Sequence, residues 1–214
     1  MNPGFLSIWI ALIIMILLLT GWKSLLAPDF NKKPSLLVIA IIAVCLPLPL
    51  WWPNISGAKW QIHASVVVLL AAAALSLYFQ AEKWSTRSYL ITAAVIIGAA
   101  WGLMRKMYSF DPIYHWLGPM WDAPLLAALL SCMFSKSSVG QFTLIAWGSF
   151  IGSLIYCMLA GASQQVLIGA WSWWDELALA LLFAAVIRIV MAAAAGIKNK
   201  ISAFWFNNRR GGTA

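Results

Sequence analysis

Few residues in this chain can do chemistry. It carries two histidines and six acidic residues in 214. The densest run of reactive types is Arg105, Lys106, Tyr108, Asp111, Tyr114, His115 and Asp122. Asp111 and His115 are four apart, a spacing that brings two side chains together on a helix. His63 falls near the same end of a neighbouring apolar stretch, and two imidazoles with a carboxylate form a familiar ligand set for a transition metal. The local pattern reads more simply. Asp111 followed by Pro112 is a helix start, with aspartate as the cap and proline at the first helical position. We therefore expect His63, Arg105, Asp111 and His115 as a polar cluster on the outer face, with no metal and no cofactor.

Catalytic patterns are missing. No G-x-S-x-G, H-E-x-x-H, H-x-x-x-H, P-loop or dinucleotide fingerprint occurs. Catalysis inside a membrane needs a nucleophile with a base, or acids and histidines on a metal. The expectation is a protein that is not an enzyme and has no catalytic residue. Cys45, Cys132 and Cys157 stand alone in apolar sequence, with no disulfide or zinc spacing, and read as small hydrophobes.

The elements that must hold these groups are membrane helices. The chain is 63% hydrophobic and 9% charged, with a mean hydropathy of +0.87. Soluble domains carry about 25% charged residues, so an ordinary globular protein is excluded. A span needs about 20 mainly apolar residues. Seven stretches qualify, at about 5–22, 35–52, 62–80, 89–104, 112–134, 142–159 and 173–197, followed by a basic tail over 198–214. Runs such as Val66 to Leu75 are apolar on every face, which excludes a β-barrel. Residues 1–22 lack the basic start and cleavage site of a signal peptide. The fold class is all-α: a seven-span transmembrane bundle forming one domain.

Basic residues favour the cytoplasmic side. Placing the N-terminus outside puts eleven of the 14 lysines and arginines inside and leaves Lys59, Arg105 and Lys106 outside. The expectation is N-terminus out and C-terminus in, and the net charge of +8 follows from topology without nucleic acid. The tail mixes Lys198, Lys200, Arg209 and Arg210 with Phe204, Trp205 and Phe206, and is expected to touch the anionic inner leaflet. Most of the 14 tryptophans fall near span ends. Trp51, Trp116, Trp121, Trp171, Trp173 and Trp174 are among those on the outer side, where indole suits the headgroup layer. They can also line an outward pocket.

Two starts are open to the fifth span. Beginning at Pro112, it places Asp122 near the bilayer centre, within reach of Arg188 on the seventh; an Asp122–Arg188 ion pair is the resulting expectation. Beginning at Trp121, it leaves Asp122 at the interface and Arg188 to snorkel alone. Gly98 and Gly102, and again Gly148 and Gly152, form G-x-x-x-G, which lets helix backbones approach closely. These faces should pack helix on helix, within one chain or between two.

Two functions are compatible with this reading. One is an accessory or assembly protein that contacts another membrane protein, a second copy of itself or lipid. The other is a small transporter or ligand-binding subunit with an outward aromatic-lined cavity. The opening Asn2-Pro3-Gly4-Phe5, the Gly21-Trp22-Lys23 that ends the first stretch, and Ser109-Phe110-Asp111-Pro112 resemble the YphA-type membrane proteins of Gram-positive bacteria. That resemblance implies a multi-pass protein of the bacterial inner membrane and assigns no chemistry to any residue.

Overall fold

A computed structural model of the protein describes residues 2–22, 29, 42, 45–46, 48, 50–52, 60–80, 84–110, 116–160 and 166–210. Among these there are six helices: α1 (Phe5–Leu19), α2 (Ala64–Gln80), α3 (Trp84–Phe110), α4 (Asp122–Phe134), α5 (Ser138–Leu159) and α6 (Trp171–Arg210). Two three-residue strands, β1 (Trp60–Ile62) and β2 (Val166–Ile168), pair in parallel with Trp60 opposite Val166. The strands depart from the all-helical expectation. They arise where two connections run side by side and their backbone N–H and C=O groups satisfy one another.

α3, α5 and the Trp171–Lys198 part of α6 are long and apolar enough to cross a membrane. α1, α2 and α4 are apolar but shorter, at 15, 17 and 13 residues. The expected third, fourth and sixth stretches correspond to α2, α3 and α5, and α3 is longer at both ends. Most of the expected second span lies outside the described residues. Its last residues are not helical: Trp51 bridges His63 in antiparallel fashion, and Trp52 N–H donates to the Ile62 carbonyl. Of the fifth stretch, residues 112–115 lie outside the described residues, 116–121 are not helical, and α4 starts at Asp122. Gly118, at φ +144°, and Pro119 break the chain before it. The expected seventh stretch corresponds to the Trp171–Lys198 part of α6; the helix itself continues unbroken through Arg210, so the backbone of the expected tail is largely helix.

The core is built on the pairing of α3 with α5, the most extensive in the molecule. The two run in the same direction, with Gly98 against Gly148 and Ile151, and Gly102 against Gly152 and Ile155. A Cβ on Gly102 would stand 2.7 Å from the Gly152 carbonyl oxygen, and one on Gly148 would stand 2.7 Å from the Ile97 side chain. Lipid tails are as apolar as leucine, so helices gain by close van der Waals contact, and only glycine leaves room for it. Ile97, Trp101, Leu144 and Ile145 are buried along this seam, and Ala127, Ala128, Leu177 and Ala180 close the core from α4 and α6.

α6 runs opposite to α5. Near its start Trp173 reaches Ser153, and further on Arg188 reaches Gln141. The bundle therefore has a Trp171 end and a Ser138 end. α1 begins at the Trp171 end, where it packs on α6.

The seam makes a direct prediction. Gly102→Val should lower stability by about 1–3 kcal/mol through overpacking, read as an unfolding midpoint in mild detergent. Gly196→Ala, where nothing lies within 4 Å of the added methyl, should be neutral or gain up to about 1 kcal/mol from helix propensity. An unchanged midpoint for the Gly102 variant would remove the seam from the account of stability.

Candidate functional site

The residues able to do chemistry are drawn into four places, and in each they are consumed by the chain itself. Asp122 is the first residue of α4 and only 2% exposed. Its carboxylate accepts from the Trp116 N–H (2.9 Å) and the Leu117 N–H (2.9 Å), and more weakly from the Gly118 N–H at 3.5 Å. The Tyr108 hydroxyl, from the end of α3, donates to it at 2.7 Å. The turn at 116–118 cannot pair its amides within a helix, and such backbone is tolerated beside lipid only when a partner is supplied. Asp122 is that partner.

Asp175, 1% exposed, does the same for α1. Its two oxygens accept from the Gly4 N–H and the Ser7 N–H, both at 2.7 Å. The first amides of any helix lack partners and carry the positive end of its dipole. Here the cap comes from a residue 171 positions away. Gly4 has φ +90°, and a Cβ on it would sit 2.7 Å from the Trp171 ring; the close fit and the backbone both require glycine. At the Ser138 end, Asp29 accepts from the Ser138 N–H (2.9 Å) and hydroxyl (3.0 Å), capping α5.

The fourth place joins α3 to α6. Arg105 Nη1 lies 3.2 Å from Glu176 Oε2, and the guanidinium sits over the Tyr156 ring at 5.1 Å. The Trp101 indole N–H faces the same carboxylate without reaching hydrogen-bond geometry, and the Trp174 N–H is also buried without an acceptor. Trp173 donates to the Ser153 hydroxyl at 3.1 Å, which passes the bond on to the Ser149 carbonyl. Trp173 and Trp174 were expected in the headgroup belt. They are instead buried, 4% and 9% exposed, because they face α5 and the core. Trp171, Trp116 and Trp121 do remain exposed.

The expected Asp122–Arg188 pair is corrected. Asp122 lies at the Trp171 end with the partners just named, whereas Arg188 lies near the other end and donates to the Gln141 amide oxygen at 2.9 Å. Gln141 in turn donates to the Ser135 carbonyl. The helix starts at Asp122 and not at Pro112, so its carboxylate never reaches the depth of Arg188. Of the expected outer-face cluster only His63 and Arg105 are described. Asp111 and His115 lie outside the described residues, and His63 and Arg105 have separate partners. His63, 3% exposed, lies 2.8 Å from the Leu48 carbonyl through Nε2 and 2.7 Å from the Ser65 hydroxyl through Nδ1. A carbonyl only accepts, so Nε2 carries a proton, and Nδ1 is left to accept from Ser65. The Trp51 ring stands edge-on at 5.0 Å.

His63 also borders a half-open cavity of about 220 Å³, lined by Leu46, Leu48, Trp51, Gly169, Ala170 and Trp171. Among the described residues no three His, Cys, Asp or Glu side chains gather to hold a metal. Lys198 is exposed; the backbone of Lys200, Arg209 and Arg210 continues α6, and their side chains lie outside what is described. The four seam glycines are brought together, within one chain.

The whole arrangement is that of an integral membrane helix bundle whose described acids are met by its own backbone, hydroxyls or an arginine. The chain belongs to the YphA-like integral membrane proteins, whose family model matches residues 3–210. No curated protein and no solved structure matches it.

Asp122→Ala should leave three amides and a phenol without an acceptor and cost at least about 3 kcal/mol, while Tyr108→Phe should cost about 1. Unfolding midpoints of the two variants measure the difference; equal costs would mean the carboxylate does not hold the turn. For the α3–α6 pair, Arg105→Gln and Glu176→Gln should each be strongly destabilising, because each strands a largely buried charge. The double variant should recover much of the loss, which a double-mutant cycle reads as coupling.

Proposed function

We propose that this protein is a non-catalytic accessory or assembly protein of the bacterial cytoplasmic membrane, working through contacts with another membrane protein or with lipid. One observation carries the reading. Each of the four described acids, Asp29, Asp122, Asp175 and Glu176, is engaged by amides, hydroxyls or an arginine of the same chain. A proton- or ion-coupled carrier needs a carboxylate left available along a path. Asp122, the acid best placed by sequence for that role, is already fully occupied.

The proposed topology has seven spans, with the N-terminus outside and the C-terminus in the cytoplasm. Two observations support the seventh crossing. Asp29 contacts Ser138 at one end of the bundle, while Leu46, Leu48 and Trp51 lie beside His63 and Trp171 at the other. Asp29 and Trp51 thus stand at opposite ends of the bundle, which supports a crossing by the apolar stretch 35–52. The orientation rests on the eleven-to-three bias of basic residues.

A second reading is favoured by the cavity beside His63. Its walls are the Trp51 and Trp171 rings and two leucines, and both imidazole nitrogens are already satisfied. It suits an apolar or aromatic group of a small ligand, presented from outside.

Cysteine-accessibility mapping separates the two. In a background without the three native cysteines, single cysteines at the buried positions Ala127, Ala128, Ala180 and Ala184 should resist small water-soluble thiol reagents in intact cells. Reaction at several of these positions would reveal a wet path and overturn the accessory reading in favour of transport. Reporter fusions before Asn2 and after Lys198 check the orientation. Activity of a cytoplasm-only reporter at the N-terminal fusion would reverse it.

A further inference from the structure

We infer that the bundle is built for a thin bilayer, so that the lipids it takes as neighbours carry shorter acyl chains than those of a typical membrane. A typical hydrocarbon core is about 30 Å thick and asks for about 20 helical residues. α1, α2 and α4 have 15, 17 and 13, or about 22, 25 and 20 Å at 1.5 Å per residue. Their ends are fixed by specific partners. Asp175 caps the start of α1, and after its end Gly21 turns the chain at φ +95°. α2 follows directly on β1, which is held between β2 and Trp51. α4 is closed by the Asp122-bound turn on one side and by extended Ser135 on the other. Neither α1 nor α4 can add a turn at either end without breaking one of these contacts, and α2 cannot at its start.

The polar layers agree with the short helices. On α6, Glu176 meets Arg105 at one end of the bundle and Arg188 meets Gln141 towards the other; these two positions are about 18 Å apart along the helix. On α3, Arg105 and Tyr89, whose hydroxyl donates to the Phe134 carbonyl, are about 24 Å apart. α3, α5 and the apolar part of α6 are long, at 27, 22 and 28 residues, but this does not oppose the inference. A long apolar helix fits a thin layer by tilting, whereas a short one cannot stretch, and the bilayer must thin around it. The exposed apolar side chains of α1 and α2, among them Ile8, Leu12, Val67 and Leu75, then face lipid along the whole of those short helices.

The inference rests on the spanning arrangement proposed above and not on the accessory role. The test uses the full-length protein in vesicles of monounsaturated phosphatidylcholines with fourteen to twenty-two carbons per chain. The fraction still folded after a fixed heat challenge should be greatest at fourteen or sixteen carbons and fall at least about twofold by twenty-two, in line with the cost of mismatch. A maximum at eighteen carbons or beyond, or no dependence on chain length, would overturn it. Neutron diffraction from stacked eighteen-carbon bilayers gives an independent reading. They should become thinner as protein is added, and an unchanged thickness would also overturn the inference. Neither result depends on whether a partner protein exists, so the accessory role can fail separately.

Discussion

The close approach of α3 to α5 is the constraint on which the rest depends. With glycine at four facing positions, the backbones come near enough for the Gly152 carbonyl to occupy the space a side chain on Gly102 would need. That contact fixes both the separation and the register of the two helices. The register then sets Trp101 against Gly152 and Arg105 over Tyr156. Once Arg105 stands there, Glu176 on α6 has one place in which its charge can be met. The polar contact between α3 and α6 is thus a consequence of a packing decision made one turn away by residues with no side chain at all.

The acids extend the same logic to the parts of the chain that are not helical or have just become so. Water cannot satisfy an amide in hydrocarbon, and each orphaned group is expensive there. A carboxylate is an acceptor of several hydrogen bonds, and one Asp can close two or three amides together. Asp175 does this for the start of α1 and Asp122 for the turn before α4. Asp175 thereby ties the start of α1 to α6, on which α1 also packs, and Asp122 ties the turn before α4 to the end of α3. A charge in a membrane protein is usually read first as a sign of function. Here the described carboxylates are accounted for by backbone that would otherwise be unsatisfied, or by an arginine.

Much of the architecture was legible in the residues, and the losses have physical reasons. The seam could be read because G-x-x-x-G is local: four residues are one helical turn, and the consequence needs no knowledge of the partner beyond its being a helix. α2, α3 and α5 could be read because apolar runs are local too. The Asp175 cap could not be found by spacing, since its partner is Gly4 and the two are brought together only by the fold. Asp175 taken alone resembles an acid near the start of its own helix. Trp173 and Trp174 misled because a tryptophan near a span end is equally suited to the headgroup layer and to the core. Which face of α6 meets α5 decides between them. The start of α4 was an open alternative, and Gly118 with Pro119 decided it against a long fifth span.

That last decision also removes the strongest case for a buried ion pair, and with it the simplest case for a coupled carrier. Arg188 is held by Gln141, a neutral amide that is itself tied to the Ser135 carbonyl. The arginine is thereby kept at the Ser138 end of the bundle, close to the turn between α4 and α5. Asp122 is kept at the opposite end by Tyr108. The two charges mark the two ends of the bundle, and between them the described interior is mainly alanine, leucine, isoleucine and glycine, with buried tryptophans, and with hydroxyls bonded to their own helices or, as Ser76 with Thr143 and Ser153 with Trp173, between helices. The described structure presents to its surroundings the apolar faces of its short helices and the aromatic mouth beside His63.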